Sequence, residues 1–229
     1  MTSASELARL ASLLADESRA AMCLALLDGR AWTAGELAGQ AGVAASTATE
    51  HLHRLVQGGL LVERKQGRHR YVQLADPAAA QLIEDLAARL DPRPARVTGL
   101  RAATASAALR RGRTCYDHLA GQLGVAVTDA MTARGLLDQD GGFALTPYGK
   151  EWLVDRLDLD LRSRSRPLAR GCLDWTERRQ HLAGLAGARL CETFLERRWV
   201  TRIGSGRAVR LTADGRAALR ADLGLDGLD

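Results

Sequence analysis

The segment from Thr33 to Tyr71, TAGELAGQAGVAASTATEHLHRLVQGGLLVERKQGRHRY, constrains the fold more than any other part of the chain. Thr33 and Glu36 have the Thr-x-x-Glu spacing of a capping box, in which side chains satisfy the free backbone donors at a helix start. Leu37, Ala38 and Ala41 give that helix one apolar side, and Gly42 ends it. Ala48, Leu52, Leu55 and Val56 recur at helical spacing and predict a second helix. Its other face carries Ser46, Thr47, Thr49, Glu50 and His53. Gly58-Gly59 stops it, Leu60 to Glu63 predicts a strand, Lys65-Gln66-Gly67-Arg68 a basic turn, and His69 to Leu74 the returning strand. Two short helices, a tight turn and a basic hairpin in this order make a helix-turn-helix with a wing.

Such a pair of surfaces suits double-stranded DNA. A helix faced with short hydrogen-bonding side chains fits a major groove about 12 Å wide and offers hydroxyls to base edges and phosphates. The hairpin sets Arg64, Lys65, Arg68 and Arg70 against one acid, Glu63, so it can lie along the phosphate backbone. The candidate contact residues are therefore Ser46, Thr47, Thr49, Glu50 and His53 on the helix, and Arg64, Lys65, Gln66, Arg68 and Arg70 on the wing. A solvated polar helix beside an ordinary charged hairpin is the bland alternative, and the whole ordered set of signals weighs against it.

These residues resemble the ArsR/SmtB family of bacterial transcriptional repressors. The family's recognition helix reads like Ser-Thr-x-Ser-x-His-Leu, and Ser46-Thr47-Ala48-Thr49-Glu50-His51-Leu52 occupies those places. Ser18-Arg19, opening an apolar helix through Leu27, resembles the segment before the motif. The resemblance covers about the first ninety residues. It implies a homodimer that leaves a pseudo-palindromic operator when an inducer binds, with a helix after the wing pairing with the first helix across the dimer. Ala44 departs from the pattern, since the family commonly places a serine cap there. Losing such a cap costs about 1 kcal/mol, so the helix start is expected to slip toward Ser46. The family's better-known metal sites do not carry over: Glu36-Leu37-Ala38-Gly39 stands where a Cys-x-Cys would be, and the helix after the wing offers Glu84 and Asp85 but no histidine. His51 is expected to buttress the motif and His53 to face DNA, while Cys23, among Met22, Leu24, Leu26 and Leu27, reads as core.

The formal net charge of +5 suits a polyanionic partner without defining a fold. Lysine occurs only at 65 and 150, and the arginine bias has a second explanation in a GC-rich genome. No charged leader precedes an apolar run, and no apolar stretch is long enough to span a bilayer. A cytoplasmic protein with no membrane partner is expected, its four cysteines reduced.

Beyond the motif, Asp76-Pro77 signals a new helix carrying Leu82, Ile83, Leu86 and Leu90, ended by Asp91-Pro92-Arg93-Pro94. A second boundary falls in 158–170, where acids give way to Arg162, Arg164, Arg166 and Arg170. The expected domains are 1–91, a winged helix-turn-helix with its dimer helices, then 92–157 and 158–229, with 158–170 as linker. The last two are copies of one repeat. His118-Leu-Ala-Gly121 matches His181-Leu-Ala-Gly184, Gly124 matches Gly187, Arg134 matches Arg197, and Leu145-Thr146 matches Leu211-Thr212. Each copy reads as helix, glycine turn, helix, hairpin and a threonine-capped helix. The fold class is thus mainly α with small β-hairpins (α+β), a winged helix-turn-helix followed by two winged-helix-like repeats. Acids at 129, 138 and 140 weigh against DNA contact by the first copy. Arg202, Arg207 and Arg210 suit the last copy better, although Glu192 and Glu196 precede them.

Each copy also begins near a cysteine–histidine pair, Cys115-Tyr-Asp-His118 and Cys172 with His181. Placed on a helix, a cysteine and histidine three apart project from one side. Two pairs would supply the sulfur and nitrogen ligands that suit zinc or another thiophilic metal, with Asp117 and Asp174 as ligands or as acceptors for the histidines. The alternatives are core cysteines, a redox-active Cys115–Cys172 pair, or an organic effector pocket built from Tyr116, Trp152, Trp175 and Trp199. No phosphate loop, nucleophile elbow or His-Glu-x-x-His occurs, so no catalytic residue is assigned. A thiol- or metal-dependent enzyme would have to use the same cysteine–histidine set, and a protein-docking module is the other reading.

Overall fold

The computed structural model describes residues 3–67, 69–90, 100–140, 142–162 and 166–228. The chain forms two compact units, Met1–Ile83 and Glu84–Asp229.

In the first unit, α1 (Ala4–Leu14) starts on a capping box between Ser3 and Glu6, and α2 (Glu17–Ala25) is capped by Asp16. A 3₁₀ turn, Leu26–Asp28, leads to β1 (Trp32–Thr33), α3 (Ala34–Ala41) and α4 (Ala45–Gln57). The hairpin of β2 (Leu61–Gln66) and β3 (His69–Leu74) follows, then α5 (Pro77–Ala87). The strands make one antiparallel sheet in the order β1-β3-β2, with Trp32 opposite Val72 and Leu61 opposite Leu74. Ala48, Leu52 and Leu55 lie on one face of α4 and are buried with Met22, Leu26, Leu37, Leu61 and Val72. Each large aliphatic side chain so covered contributes about 1.5–3 kcal/mol.

The Thr33–Glu36 capping box forms, and Gly42 closes α3 in the left-handed region at φ 68°, which a glycine adopts without strain. The start of α4 does not slip. Ala44 is its N-cap, with extended backbone and no side-chain hydrogen bond, and the helix begins at Ala45. Packing of Ala48 and Leu52 fixes the register and outweighs a cap worth about 1 kcal/mol. Asp76 caps α5 by accepting from the Ala79 N–H at 2.7 Å. The proline-rich stop at 91–94 lies outside the described residues.

The second unit, which holds both C-terminal copies, begins within α5 and continues with α6 (Leu100–Arg111). The first copy is the hairpin β4 (Arg113–Cys115) and β5 (His118–Ala120), α7 (Gly121–Ala133), the hairpin β6 (Leu137–Asp138) and β7 (Ala144–Leu145), and α8 (Pro147–Leu157). The second repeats this order: β8 (Arg170–Leu173), β9 (Gln180–Ala183), α9 (Gly184–Glu196), β10 (Val200–Arg202), β11 (Val209–Leu211) and α10 (Ala213–Leu223). Leu123, Val127, Met131, Leu153, Leu190, Phe194 and Leu219 belong to one core shared by both copies. Thr146 and Thr212 cap α8 and α10 in the same way, each accepting from a glycine N–H three residues on.

The repeat thus differs in detail from helix, glycine turn, helix. Its first element is a hairpin, and Gly124 and Gly187 lie inside single helices. Close approach explains both glycines. A Cβ on Gly124 would stand 2.4 Å from the Leu119 carbonyl oxygen, and one on Gly187 would stand 2.3 Å from that of Leu182. Among the described residues, no helix is long and apolar enough to cross a membrane.

Candidate DNA interface and a buried cysteine–histidine cluster

Burying Ala48, Leu52 and Leu55 leaves Ser46, Thr47, Thr49, Glu50 and His53 of α4 exposed together. Thr49 Oγ1 donates to the Ala45 carbonyl at 2.8 Å, so its hydroxyl keeps only acceptor capacity. Glu50 accepts from Arg54 at 2.6 Å, which holds that acid along the helix surface. On the wing, Arg64, Lys65, Gln66 and Arg70 are exposed. Lys65 stands directly opposite Arg70 in the β2–β3 register, a like-charge pair that destabilises a bare hairpin. Glu63, 3.8 Å from Arg70, relieves it in part. Arg68 lies outside the described residues.

His51 is half-buried, with Nδ1 3.4 Å from Arg19 Nη1. Arg19 also donates to the carbonyls of Leu13 and Ser12, so it joins the end of α1 to α2 and α4. Burial pushes the Cys23 thiol up to about 12, as expected of a core cysteine.

In the second unit Cys115, His118, Cys172 and His181 converge, their ligand atoms all within 4.8 Å of one another and all four residues buried. Hairpin geometry brings them together, and not the helical spacing read from the sequence. Cys115 lies directly across β4–β5 from His118, and Cys172 directly across β8–β9 from His181. Tyr116 takes the turn between the first pair at φ 55°. The two sulfurs are 4.0 Å apart, twice a disulfide length, and the two Nε2 atoms are 3.1 Å apart.

Carboxylates stand behind both rings. Asp117 Oδ1 is 3.3 Å from His118 Nδ1, and its other oxygen accepts from Arg166 at 2.7 Å. Asp174 Oδ2 is 3.4 Å from His181 Nδ1, which makes no well-directed hydrogen bond of its own. Neither aspartate belongs to the four-residue ligand group. Burial opposes charge on His118, but Asp117 and Cys172 outweigh it and raise its pKa. Contact with the Cys115 thiol, and then with both histidines, lowers that of Cys172 in spite of burial. The Cys115 thiol lies between Glu84 Oε2 at 2.9 Å and Cys172 Sγ at 4.0 Å.

Sequence reasoning missed Arg113 and gave Glu84, noted only as an acid of the helix after the wing, no part in this cluster. Arg113 is fully buried, 3.3 Å from Glu84 and 3.1 Å from Asp174. Glu84 Oε1 also accepts from Arg207 at 2.8 Å and from the Trp175 indole at 3.0 Å. Arg207 is therefore turned inward and does not join Arg202 and Arg210 on the surface. Of the four aromatic side chains, Trp152 and Trp199 pack against the same core, Trp199 edge-on to Phe194, while Trp175 faces Arg113 and Tyr116 is exposed at its turn. From the arginine run, Arg166 is held by Asp117 and the Gly184 carbonyl and Arg162 by Asp160, while Arg164 lies outside the described residues.

A capped helix-turn-helix, a polar-faced second helix and a basic wing define a DNA-binding transcriptional regulator. A family model described as a helix-turn-helix domain matches residues 14–64. The chain is 39% identical over 221 residues to the uncharacterized HTH-type transcriptional regulator YdfF of Bacillus subtilis, covering 95% of this chain and 96% of the relative. Over 82 residues it is 39% identical to the HTH-type transcriptional regulator CmtR of Mycobacterium tuberculosis, covering 36% of this chain and 69% of that protein. The solved NMR structure of that organism's cadmium metal-sensor CMTR is 32% identical, covering 40% of this chain and 99% of that one, with a TM-score of 0.32. The chain belongs to the ArsR/SmtB-type winged helix-turn-helix transcriptional regulators.

Proposed function

We propose that the protein is a homodimeric, cytoplasmic repressor that holds a pseudo-palindromic operator through α4 and the wing, and releases it when an effector acts on the C-terminal unit. One observation carries the reading: the polar face of α4 is exposed as a set, next in sequence to a wing whose Lys65 and Arg70 oppose each other. A phosphate removes the repulsion between those two cations, so the surface is better satisfied on DNA than alone. On this reading Ser46, Thr47 and His53 meet base edges, Thr49 accepts, and Arg64, Lys65, Gln66, Arg68 and Arg70 meet phosphates.

The dimer is supported by α1, which buries no residue and leaves Leu7 63% exposed, with Leu86 of α5 exposed as well. Although α1 is tied to α2 through Arg19, its apolar stripe is left largely uncovered, and a second copy would cover it. The division 1–91, 92–157 and 158–229 describes one winged unit followed by two repeat units. An enzymatic or purely protein-docking role has no comparable feature behind it. The test is binding of the full-length protein to duplexes carrying inverted repeats against scrambled duplexes, across a salt series. Equal affinity for both at every salt concentration removes the operator reading.

A further inference from the structure

We propose that Cys115, His118, Cys172 and His181 form a tetrahedral site for one thiophilic divalent cation of the zinc type. Tetrahedral zinc, with bonds of about 2.3 Å to sulfur and 2.0–2.1 Å to nitrogen, sets two sulfurs about 3.8 Å apart and two nitrogens about 3.4 Å apart. The protein holds its sulfurs at 4.0 Å and its imidazole nitrogens at 3.1 Å, so shifts of a few tenths of an ångström complete the site.

The tautomers point the same way. A ring nitrogen facing a carboxylate carries the proton, which leaves the lone pair on the other nitrogen. Asp117 stands behind Nδ1 of His118 and Asp174 behind Nδ1 of His181, so both Nε2 lone pairs turn toward each other across 3.1 Å. A hydrogen bond between the rings would need a proton on one Nε2. Either that ring carries a second proton as an imidazolium, or its Nδ1 lone pair is set against a carboxylate. A cation between the two Nε2 atoms takes up both lone pairs and leaves each Nδ1 proton on the side of its carboxylate. Two thiolates and two neutral imidazoles balance the charge of a divalent ion, and the displaced protons leave to solvent. Donor type selects the ion, since a sulfur–nitrogen tetrahedron suits zinc and not a hard cation such as magnesium.

The site is built by the repeat. Each hairpin contributes one cysteine opposite one histidine, and each copy's helix glycine stands against the other copy's histidine. A Cβ at Gly124 would be 3.7 Å from the His181 Cβ, and one at Gly187 would be 3.2 Å from that of His118. Access lies beside Cys172, which lines a cavity of about 560 Å³ with Asp85, Arg89, Arg170 and Gln180.

The site needs no DNA, so its test is independent of the operator reading, which it would supply with an effector. Full-length protein, reduced and stripped by chelator, is titrated with Co²⁺ and then with Zn²⁺. The expected result is one Co²⁺ per chain with tetrahedral visible bands and a thiolate charge-transfer band, displaced by one Zn²⁺. Cys172→Ser and His181→Ala should lose the charge-transfer band or change its shape. Asp117→Asn, at a half-exposed turn, should keep the fold and weaken binding about 10- to 100-fold. The double variant Cys23→Ser, Cys191→Ser should bind as wild type, because both cysteines lie outside the cluster. Octahedral spectra, less than one tight ion per chain, unaltered binding by Cys172→Ser, or loss of binding only in the Cys23/Cys191 variant would each overturn the site.

Discussion

Cys115 donates its thiol proton to Oε2 of Glu84 across 2.9 Å, so one member of the cysteine–histidine cluster and a buried carboxylate of α5 share a proton. The other oxygen of Glu84 is already occupied by Arg113, Arg207 and Trp175. One hydrogen bond therefore ties the Cys115 thiol to α5. That helix follows the wing directly, and the division between the two compact units falls within it.

Arg113 is the first place to test this network. Its guanidinium lies between Glu84 and Asp174 with no exposed surface. Arg113→Met leaves two buried carboxylates short of a cation, and breaking a buried pair in this way costs about 3–5 kcal/mol. Urea unfolding should show a large drop in midpoint with little change of slope. A loss of only about 1 kcal/mol, the size of an exposed pair, would mean that Arg207 and Trp175 hold Glu84 without it.

The sequence made some of this legible and hid the rest for physical reasons. Capping boxes, cap–proline steps and the apolar face of α4 are local rules, and Thr33–Glu36, Thr146-Pro147 and Leu52–Leu55 all obey them. The repeat was legible because matched residues keep their spacing. Cys115 and His118 were read as a helical pair since three-residue spacing also fits a helix, whereas a tight hairpin turn places the two opposite each other. A glycine turn between two helices was expected in each copy because glycine breaks helices, and only the packed structure reveals the carbonyls that exclude a side chain at Gly124 and Gly187. The burial and pairing of Glu84 with Arg113 left no local signal, since charged residues are ordinarily solvated and the two lie far apart in sequence.

For DNA, the hydroxyl geometry of α4 separates two neighbouring threonines. Thr47 is exposed and available, whereas Thr49 has committed its proton to Ala45. Thr47→Ala should weaken operator binding by about 1–3 kcal/mol and relax specificity, with a smaller effect for Thr49→Ala. Lys65→Ala or Arg70→Ala should weaken all sequences alike and lower the salt slope by about 1 each. Competition titrations at several salt concentrations distinguish the two patterns. Wild-type behaviour of all four variants would remove α4 and the wing from the interface.

The dimer prediction rests on α1. Leu7 is exposed in a helix that buries nothing, so Leu7→Lys should leave the monomer fold intact while dissociating the dimer. Light scattering at micromolar concentration reads the mass, and circular dichroism reads the fold. A wild-type protein that is monomeric and binds a single half-site at full affinity would contradict the proposal, because two recognition helices must reach grooves about one turn apart.

Gly187→Ala probes the symmetric packing. Its Cβ meets the Leu182 carbonyl oxygen at 2.3 Å and crowds His118. Backbone cannot yield as a flexible side chain does, so α9 must move, at a cost of about 1–3 kcal/mol or more. Gly39→Ala, inside α3 with open space around its Cβ, is the control and should be slightly stabilising, by about 0.4–1 kcal/mol. The informative readout is Co²⁺ affinity in whatever fraction stays folded. It should fall for Gly187→Ala and stay unchanged for Gly39→Ala.

The remaining prediction joins the cluster to the operator. A coordinated Cys115 has no proton to give, so Oε2 of Glu84 loses its donor when an ion binds. A buried acceptor left unmade costs about 1–3 kcal/mol, which is also the usual range of allosteric coupling. If α5 repositions to recover that energy, the two recognition helices of a dimer no longer fit successive grooves. Zn²⁺ should then lower operator affinity about five- to 150-fold. Cys115→Ser and Cys172→Ser should abolish the response to Zn²⁺, each variant being compared with its own metal-free affinity. Fluorescence anisotropy of a labelled operator, with and without saturating Zn²⁺, measures all of these values. Glu84→Gln separates the route from the site, since it should still bind the ion yet transmit less of it to DNA. If wild type binds Zn²⁺ tightly and its operator affinity does not change, the cluster is a structural staple of the repeat pair and the regulatory effector acts elsewhere.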